Sequence, residues 1–225
     1  MHRISVSSVI LSHMFNGEER RQTTAEELAN SLTHFIGFGL GITVLVLLII
    51  SASTLRDPWR IVSFSIYGSC LVLMYGTSAL YHAVPHCSFK RLMQRVDHAT
   101  IFLLIAGTYT PFMLVPLRGG WGWSIFGVVW GIAMFGIGVH DLLYRLTAVR
   151  VALYILLGWL VVIAIVPIVR ILPLPTIMLL VAGGVFYTAG VLFFMRDHLP
   201  FRHAIWHLFV LIGSACHFFA LLAVE

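Results

Sequence analysis

The sequence predicts an all-α integral membrane protein, folded as a bundle of seven transmembrane helices. Hydrophobic residues make up 60% of the 225-residue chain, whereas charged residues make up only 10%. A soluble domain carries roughly 25% charged residues, which keep its surface hydrated. Because this chain has too few charges to cover itself, lipid must be its main solvent.

Seven apolar runs follow one another along the chain, each long enough to cross the hydrocarbon core of a bilayer as a helix. They lie at residues 30–53, 59–84, 96–117, 121–143, 148–170, 173–195 and 201–224. The connections between them are short and often contain Pro or Gly, so no soluble domain is inserted between two spans. We therefore divide the chain into an N-terminal cytoplasmic segment, 1–29, and a seven-helix transmembrane domain, 30–225.

The first helix is expected to begin before the membrane does. Thr23 and Thr24 are followed by Glu26 and Glu27. A threonine with glutamate a few residues later is a pattern typical of a helix N-terminus, where the acids also face the positive end of the helix dipole.

Lysine and arginine predict the orientation of the bundle, because they are retained on the cytoplasmic side. Ten of the fourteen lie on the side of the N-terminus and four on the opposite side. The ten are Arg3, Arg20, Arg21, Lys90, Arg91, Arg95, Arg145, Arg150, Arg196 and Arg202. We therefore expect a cytoplasmic N-terminus and an extracytoplasmic C-terminus.

Charge and cysteine usage exclude some classes of function. The formal net charge is +5, but the basic residues are scattered between apolar runs and form no cluster that would suit a nucleic acid. The chain has three cysteines; the count is odd, and Cys70 and Cys216 fall inside apolar runs. Neither a disulfide framework nor a cysteine-based zinc finger is indicated.

The last apolar run begins with two histidines four residues apart, His203 and His207. On a helix this spacing places both imidazoles on one face about a turn apart, so that both can reach one metal ion. Ionisable residues inside a membrane are costly and mark functional sites by default. The alternative is that each imidazole bonds a backbone carbonyl of a neighbouring helix.

Other polar residues of the spans are expected at the same depth as His203 and His207, because successive spans cross the membrane in alternating directions. The second and third spans place Ser78, His82, Asp97 and His98 near the cytoplasmic side, and the last span starts there. The first span adds polar residues at that end as well. We call this set the polar layer; its members are Glu26, Asn30, His34, Ser78, His82, Asp97, His98, His203 and His207.

The chemistry of the polar layer suggests a zinc site. Three neutral imidazoles, from His82, His203 and His207, are the protein part of a tetrahedral Zn²⁺ site that keeps its fourth position for water. Zinc makes such water acidic enough to lose a proton near neutral pH. The carboxylate of Asp97 could accept that proton, and the Ser78 hydroxyl could bond the water or an oxyanion.

Several members of the set have an alternative interpretation. Ser78 could equally be a helix-packing serine bonded to its own backbone. His34 is either a partner of the metal ligands or a polar link between helices. His217 lies about 15 Å deeper than His207 by helical rise, and we interpret it as a core histidine with its hydrogen bonds satisfied.

The motifs together resemble the bacterial haemolysin-III-related branch of the progestin and adipoQ receptor family. They are Glu26-Glu27-x-x-Asn30-x-x-x-His34, Ser78-x-x-Tyr81-His82, the stretch from Asp97-His98 to Pro111, and His203-x-x-x-His207 with Cys216-His217. The resemblance covers the chain from about residue 24 onward.

The resemblance implies a seven-helix bundle with its N-terminus inside the cell, in a bacterial cytoplasmic (inner) membrane. It implies zinc held by His82, His203 and His207, with Asp97 beside the water. The wider superfamily includes alkaline ceramidases, so a metal-dependent lipid amidase is implied by analogy. No large domain precedes the first span, so binding of a protein hormone is not implied.

Three hypotheses about function follow from the sequence. The first is a zinc-dependent intramembrane hydrolase that attacks an amide or ester of a lipid entering between helices. The second is a non-enzymatic sensor or regulator of membrane homeostasis, in which structural zinc clamps the second span to the seventh. The third and weaker one is a cytolytic or pore-forming protein, for which polar residues would be expected at several depths.

Overall fold

The computed structural model describes residues 22–85, 87–139, 142 and 146–224, and the regular structure of these residues is entirely helical. The helices are α1 (Thr24–Thr54), α2 (Pro58–Ala83), α3 (Ser88–Leu114), α4 (Gly120–Gly138), α5 (Thr147–Trp159), α6 (Ile165–Ile171), α7 (Leu174–Phe194) and α8 (Arg202–Leu222), with a 3₁₀ segment (Leu160–Ala164) between α5 and α6. The all-α prediction is confirmed for the described part of the chain.

Six helical segments of that part are long and apolar enough to cross a membrane. They are α1, α2, α4, the segment Thr147–Ile171, α7 and α8. Large apolar side chains lie exposed along them, for example Phe35 at 64% and Phe135 at 69%. Such surfaces are unusual in water and suit lipid. The described chain therefore has the make-up of a multi-pass helical membrane protein.

The third predicted span, 96–117, belongs to a longer helix than expected. Helix α3 begins at Ser88, so Lys90, Arg91 and Arg95, expected in a connection, form its first two turns. Helix α3 is not among the six segments above. The count of seven spans therefore stays a prediction.

The orientation of the bundle also stays a prediction. The segment 1–29 is described only from residue 22 onward. Part of the charge asymmetry rests on residues outside the described ranges, namely Arg3, Arg20, Arg21 and Arg145.

The start of α1 agrees with the sequence pattern. Thr23 is the N-cap, and its hydroxyl accepts a hydrogen bond from the Glu26 amide. The Glu26 carboxylate accepts in turn from the Thr23 amide at 2.9 Å. This reciprocal capping box satisfies backbone donors that a helix N-terminus otherwise leaves unpaired. The predicted N-terminal cap is confirmed.

The fifth predicted span, 148–170, is interrupted halfway by the 3₁₀ segment, which the sequence analysis did not anticipate. Pro167 lies three residues beyond that segment. A proline in a helix has no N–H for the carbonyl four residues earlier, here Ile163, and its ring crowds that carbonyl. The α-helix cannot pass through this point undisturbed, and a 3₁₀ turn takes up the change.

Tyr109 of α3 occupies the break. Its hydroxyl accepts a hydrogen bond from the Val161 amide at 2.8 Å. It also lies within donor distance of two carbonyl oxygens, at 3.0 Å from Leu157 and 2.7 Å from Gly158. Because lipid offers no partners to free backbone groups, this side chain stabilises a helix break inside the bundle.

The packing brings the polar ends of several helices together. Helix α2 packs against α1 and α3, and α8 packs against α7 and α1. Consecutive helices joined by short connections run in opposite directions, so the end of α2 lies beside the starts of α1, α3 and α8. Deeper in the bundle, Tyr75 donates a hydrogen bond to the Ser214 hydroxyl at 2.7 Å, which links α2 to α8.

Candidate metal centre

Three histidines from two helices meet at the polar end of the bundle. His82 lies in the last turn of α2, and His203 and His207 lie in the first two turns of α8. One ring nitrogen from each lies within 4.8 Å of the others, and all three side chains are buried. The imidazole of His203 lies 4.8 Å from that of His82 and 4.6 Å from that of His207, measured between ring centroids.

The nitrogens of this group lack the hydrogen bonds that buried polar atoms normally make. Nε2 of His82, Nε2 of His207 and both nitrogens of His203 are buried without a hydrogen-bond partner. Leaving such atoms unpaired costs free energy, so each needs an explanation. Three imidazole nitrogens within 4.8 Å of one another could hold a metal ion such as Zn²⁺, which would take one nitrogen from each ring.

The opposite nitrogens of two of the rings are held by α1. Nδ1 of His82 lies 2.7 Å from a carboxylate oxygen of Glu27. Nδ1 of His207 lies 3.1 Å from the Thr33 hydroxyl and 3.3 Å from the Asn30 carbonyl oxygen. Metal-binding histidines commonly use their second nitrogen in this way, which fixes the orientation of the ring. Helix α1 therefore shapes the site without belonging to the three-nitrogen group.

Glu27 and Thr33 are absent from the set of residues that the sequence analysis selected for the site. The local sequence pattern marks Glu27 only as an acid near the helix N-terminus. Its spacing to Asn30 and His34, three and seven residues, places the three side chains on one face of α1. This shared face is the sequence signal that indicates Glu27 as a site residue, because Asn30 and His34 belong to the polar layer.

Glu26 joins the beginnings of α1 and α8 at the polar end of the bundle. In addition to its part in the capping box, its carboxylate accepts a hydrogen bond from the Phe201 amide at 3.0 Å. Phe201 precedes α8 and has a left-handed backbone, with φ 53°. Glu26 thus ties the beginning of α1 to the turn that leads into α8.

Asn30 and His34 contact the group directly. The Asn30 amide nitrogen donates to the Gln22 side chain and lies 3.4 Å from Nδ1 of His82. His34 stacks on His207 with ring centroids 3.4 Å apart and the planes inclined by 14°. This contact is compatible with both alternatives for His34. It makes His34 a partner of a candidate metal ligand, and it also links α1 to α8.

Asp97 and His98 line the same cavity as His203, and Ser78 precedes His82 on the same helix. Asp97 and His98 are buried in α3, and Ser78 is buried in α2 one turn before His82. Within the described residues only the three histidines form the metal-ligand group, so Asp97 is not a member of it. The roles of Asp97 as a base and of Ser78 as an oxyanion donor stay predictions.

A cavity of about 250 Å³ extends from the site into the bundle. It follows α3 from Asp97 to Met113, which corresponds to a helical rise of about 24 Å. The walls also include the segment Thr147–Ile171, α7 and α8, and they are mostly apolar. Asp97, His98, Arg150 and His203 supply polar groups to the wall at the end near the site.

The cavity has two further features. Val162, Ile165 and Val181 line it and are at the same time 54%, 46% and 49% exposed, so its wall between α6 and α7 is also an outer surface of the bundle. His217 lines the cavity far from the three histidines, and its Nε2 lies 3.4 Å from the Leu180 carbonyl oxygen. That contact suits a core residue, but Nδ1 of His217 is buried without a hydrogen-bond partner, so only one of the two ring nitrogens is paired among the described residues.

Comparison with known proteins finds a matching family model and similar bacterial proteins. A family model described as "Haemolysin-III related" matches residues 22–218. "Hemolysin-3" of Bacillus cereus is 43% identical over 203 residues, which cover 89% of this chain and 92% of that protein. "Hemolysin-3 homolog" of Bacillus subtilis (strain 168) is 43% identical over 202 residues, covering 89% and 94%.

A more distant relative comes from an animal. "Monocyte to macrophage differentiation factor" of Homo sapiens is 28% identical over 218 residues, which cover 89% of this chain and 85% of that protein. Like the bacterial relatives, it matches the chain over nearly its whole length.

Proposed function

The chain belongs to the haemolysin-III-related family, and from this premise we propose that it is a zinc-dependent hydrolase that cleaves an amide or ester bond of a membrane lipid. The observation that carries the proposal is the position of the buried three-histidine group, at the polar end of a long apolar cavity. One of the three, His203, is part of the cavity wall. A metal centre and a lipid chain could therefore occupy adjoining spaces.

The choice of metal follows from the donor set. Neutral imidazoles suit Zn²⁺, Cu²⁺, Fe²⁺ or Ni²⁺ better than Ca²⁺ or Mg²⁺, which prefer oxygen. Three histidines with room for a further ligand are a common arrangement for catalytic zinc. A bound zinc ion would supply Lewis acidity, which activates water and polarises a carbonyl group.

The remaining roles in the reaction belong to side chains of the protein. His82, His203 and His207 hold the metal. Asp97, buried at the polar end of the cavity, would receive on a carboxylate oxygen the proton that water loses as it attacks the carbonyl carbon, and would pass it to the leaving nitrogen or oxygen as the amide or ester bond breaks. Ser78, one turn before His82, donates its hydroxyl hydrogen to the developing oxyanion. The apolar wall binds the acyl chain and keeps bulk water out.

The lipid would enter from the side. The wall formed by Val162, Ile165 and Val181 is also an outer surface of the bundle. A substrate that stays in the bilayer can reach such a cavity without crossing water. In this arrangement α3 also crosses the membrane, as the third of seven spans, the N-terminus is cytoplasmic, and the polar end of the cavity lies near the cytoplasmic face of the inner membrane.

A second candidate is a non-enzymatic regulator of membrane homeostasis whose zinc is structural. The observation that favours it is that the three histidines join two helices distant in sequence, α2 and α8, while α1 contacts two of the rings. A metal at this point would clamp the helices together. A cytolytic pore is less consistent with the mostly apolar cavity wall, although two relatives carry the word hemolysin in their names.

Replacement of Asp97 by asparagine separates the enzyme from the regulator. The amide keeps the size of the side chain but cannot take up the proton, so we expect zinc to stay bound and lipid hydrolysis to fall by about 10²- to 10⁴-fold. The measurements are zinc content and release of fatty acid or amine from a panel of lipid amides and esters. Absence of lipid turnover in the parent protein, together with full cellular function of Asp97→Asn, would favour the regulator.

A further inference from the structure

His82 is held by the carboxylate of Glu27, which also forms a partly buried ion pair with Lys90. Its Nδ1 lies 2.7 Å from one carboxylate oxygen of Glu27, and the other oxygen lies 2.9 Å from the Lys90 ammonium group. The side chains of His82, Glu27 and Lys90 are 0%, 15% and 8% exposed. The chain of contacts thus runs from α3 through α1 to α2.

The contact between Glu27 and His82 decides which nitrogen of the ring remains available. An ionised carboxylate only accepts hydrogen bonds, so Nδ1 of His82 carries the hydrogen and donates it. Nε2 then has a free lone pair, and this nitrogen is buried without a partner. The Asn30 amide nitrogen, 3.4 Å from the same Nδ1, is too distant to compete with a bond of 2.7 Å.

Lys90 in turn fixes the position of the Glu27 carboxylate. Its ammonium group donates to the carbonyl oxygens of Tyr81 and Val84, each at 3.1 Å, and to Glu27. Three acceptors match the three hydrogens of the ammonium group. Because Tyr81 and Val84 flank His82 on the chain, Lys90 holds the carboxylate and the end of α2 in one arrangement.

We propose that Glu27 is a positioning residue of the metal centre, which sets the tautomer and orientation of His82, and that Lys90 fixes Glu27 for this role. The proposal rests on the proposed function only in that a metal binds at the three histidines. It adds a carboxylate that contacts a ligand on the side away from the metal. Such outer contacts raise the basicity of the ligand and change metal affinity by about 10- to 100-fold when they are removed.

The test compares zinc affinity in purified, full-length variants, by competition with a chelator of known affinity. Glu27→Gln keeps the size of the side chain but removes its charge, and we expect zinc binding to weaken by about 10- to 100-fold. Glu26→Gln is the matched control, because Glu26 is a buried carboxylate one residue away that serves the helix cap. It should bind zinc as the parent does, although its thermal stability can fall.

Lys90→Met and a spectroscopic probe distinguish positioning from general support of the fold. Lys90→Met removes the ion pair but leaves the carboxylate beside His82, so its zinc affinity should fall less than that of Glu27→Gln. With Co²⁺ in place of zinc, the visible spectrum should change in Glu27→Gln and stay unchanged in Glu26→Gln.

Two results would overturn the proposal in different ways. Zinc binding by Glu27→Gln that equals that of the parent, or an equal loss in Glu26→Gln, would mean that Glu27 does not position His82, while the metal centre itself stands. Absence of any zinc binding by the parent would remove the proposed function and this inference together.

Discussion

Replacement of Tyr109 by phenylalanine tests how the helix break beside the cavity is held. The change removes a single oxygen atom, which accepts a hydrogen bond from the Val161 amide and lies within donor distance of the Leu157 and Gly158 carbonyl oxygens. A typical hydrogen bond contributes about 0.5–1.5 kcal/mol net, and a buried donor left unsatisfied costs about 1–3 kcal/mol. One donated bond lost and one amide left unpaired together predict a destabilisation of about 1.5–4.5 kcal/mol.

The assay is thermal unfolding in detergent, followed by reaction of the Cys70 thiol, which is 6% exposed in the folded protein, with a fluorescent maleimide. Tyr154→Phe is the matched control. It removes the same atom from the wall of the same cavity, but that hydroxyl makes one bond, to the His98 carbonyl oxygen at 2.8 Å. We expect a cost of about 0.5–1.5 kcal/mol for the control. An equal loss of stability in both variants would refute the assignment of Tyr109 to the break.

Two other predictions concern the metal and the topology. Metal analysis of purified protein should find about one zinc per chain, as a single three-histidine site requires. Alanine at any of the three histidines should abolish or greatly weaken zinc binding, whereas His217→Ala should retain it. Chelation should lower thermal stability, by about 2.7 kcal/mol for zinc present at 100 times its dissociation constant. A reporter fused after Glu225 should be extracytoplasmic and one fused before Thr23 should be cytoplasmic, because of the ten-to-four asymmetry in lysine and arginine. A cytoplasmic C-terminus would contradict the predicted orientation.

Composition and apolar runs were enough to predict the helical membrane fold and the approximate extent of most helices. The starting point of α1 was also predictable, because a cap depends on residues three apart in the chain. The beginning of α3 was not, because charged residues suggested a connection there. In the structure they are the first turns of a helix, where Lys90 finds acceptors on α1 and α2.

The sequence by itself determined the candidate ligands and their place at one end of the bundle, because helical rise and the alternating direction of successive helices relate position in the chain to position along the bundle. Only the tertiary structure decided which neighbours those residues meet. Glu26 and Glu27 are adjacent glutamates with similar local signals, yet one caps α1 and reaches Phe201 while the other holds His82. The physical reason is that adjacent residues project from a helix about 100° apart, so their contacts depend on how α1 is rotated against α2 and α8.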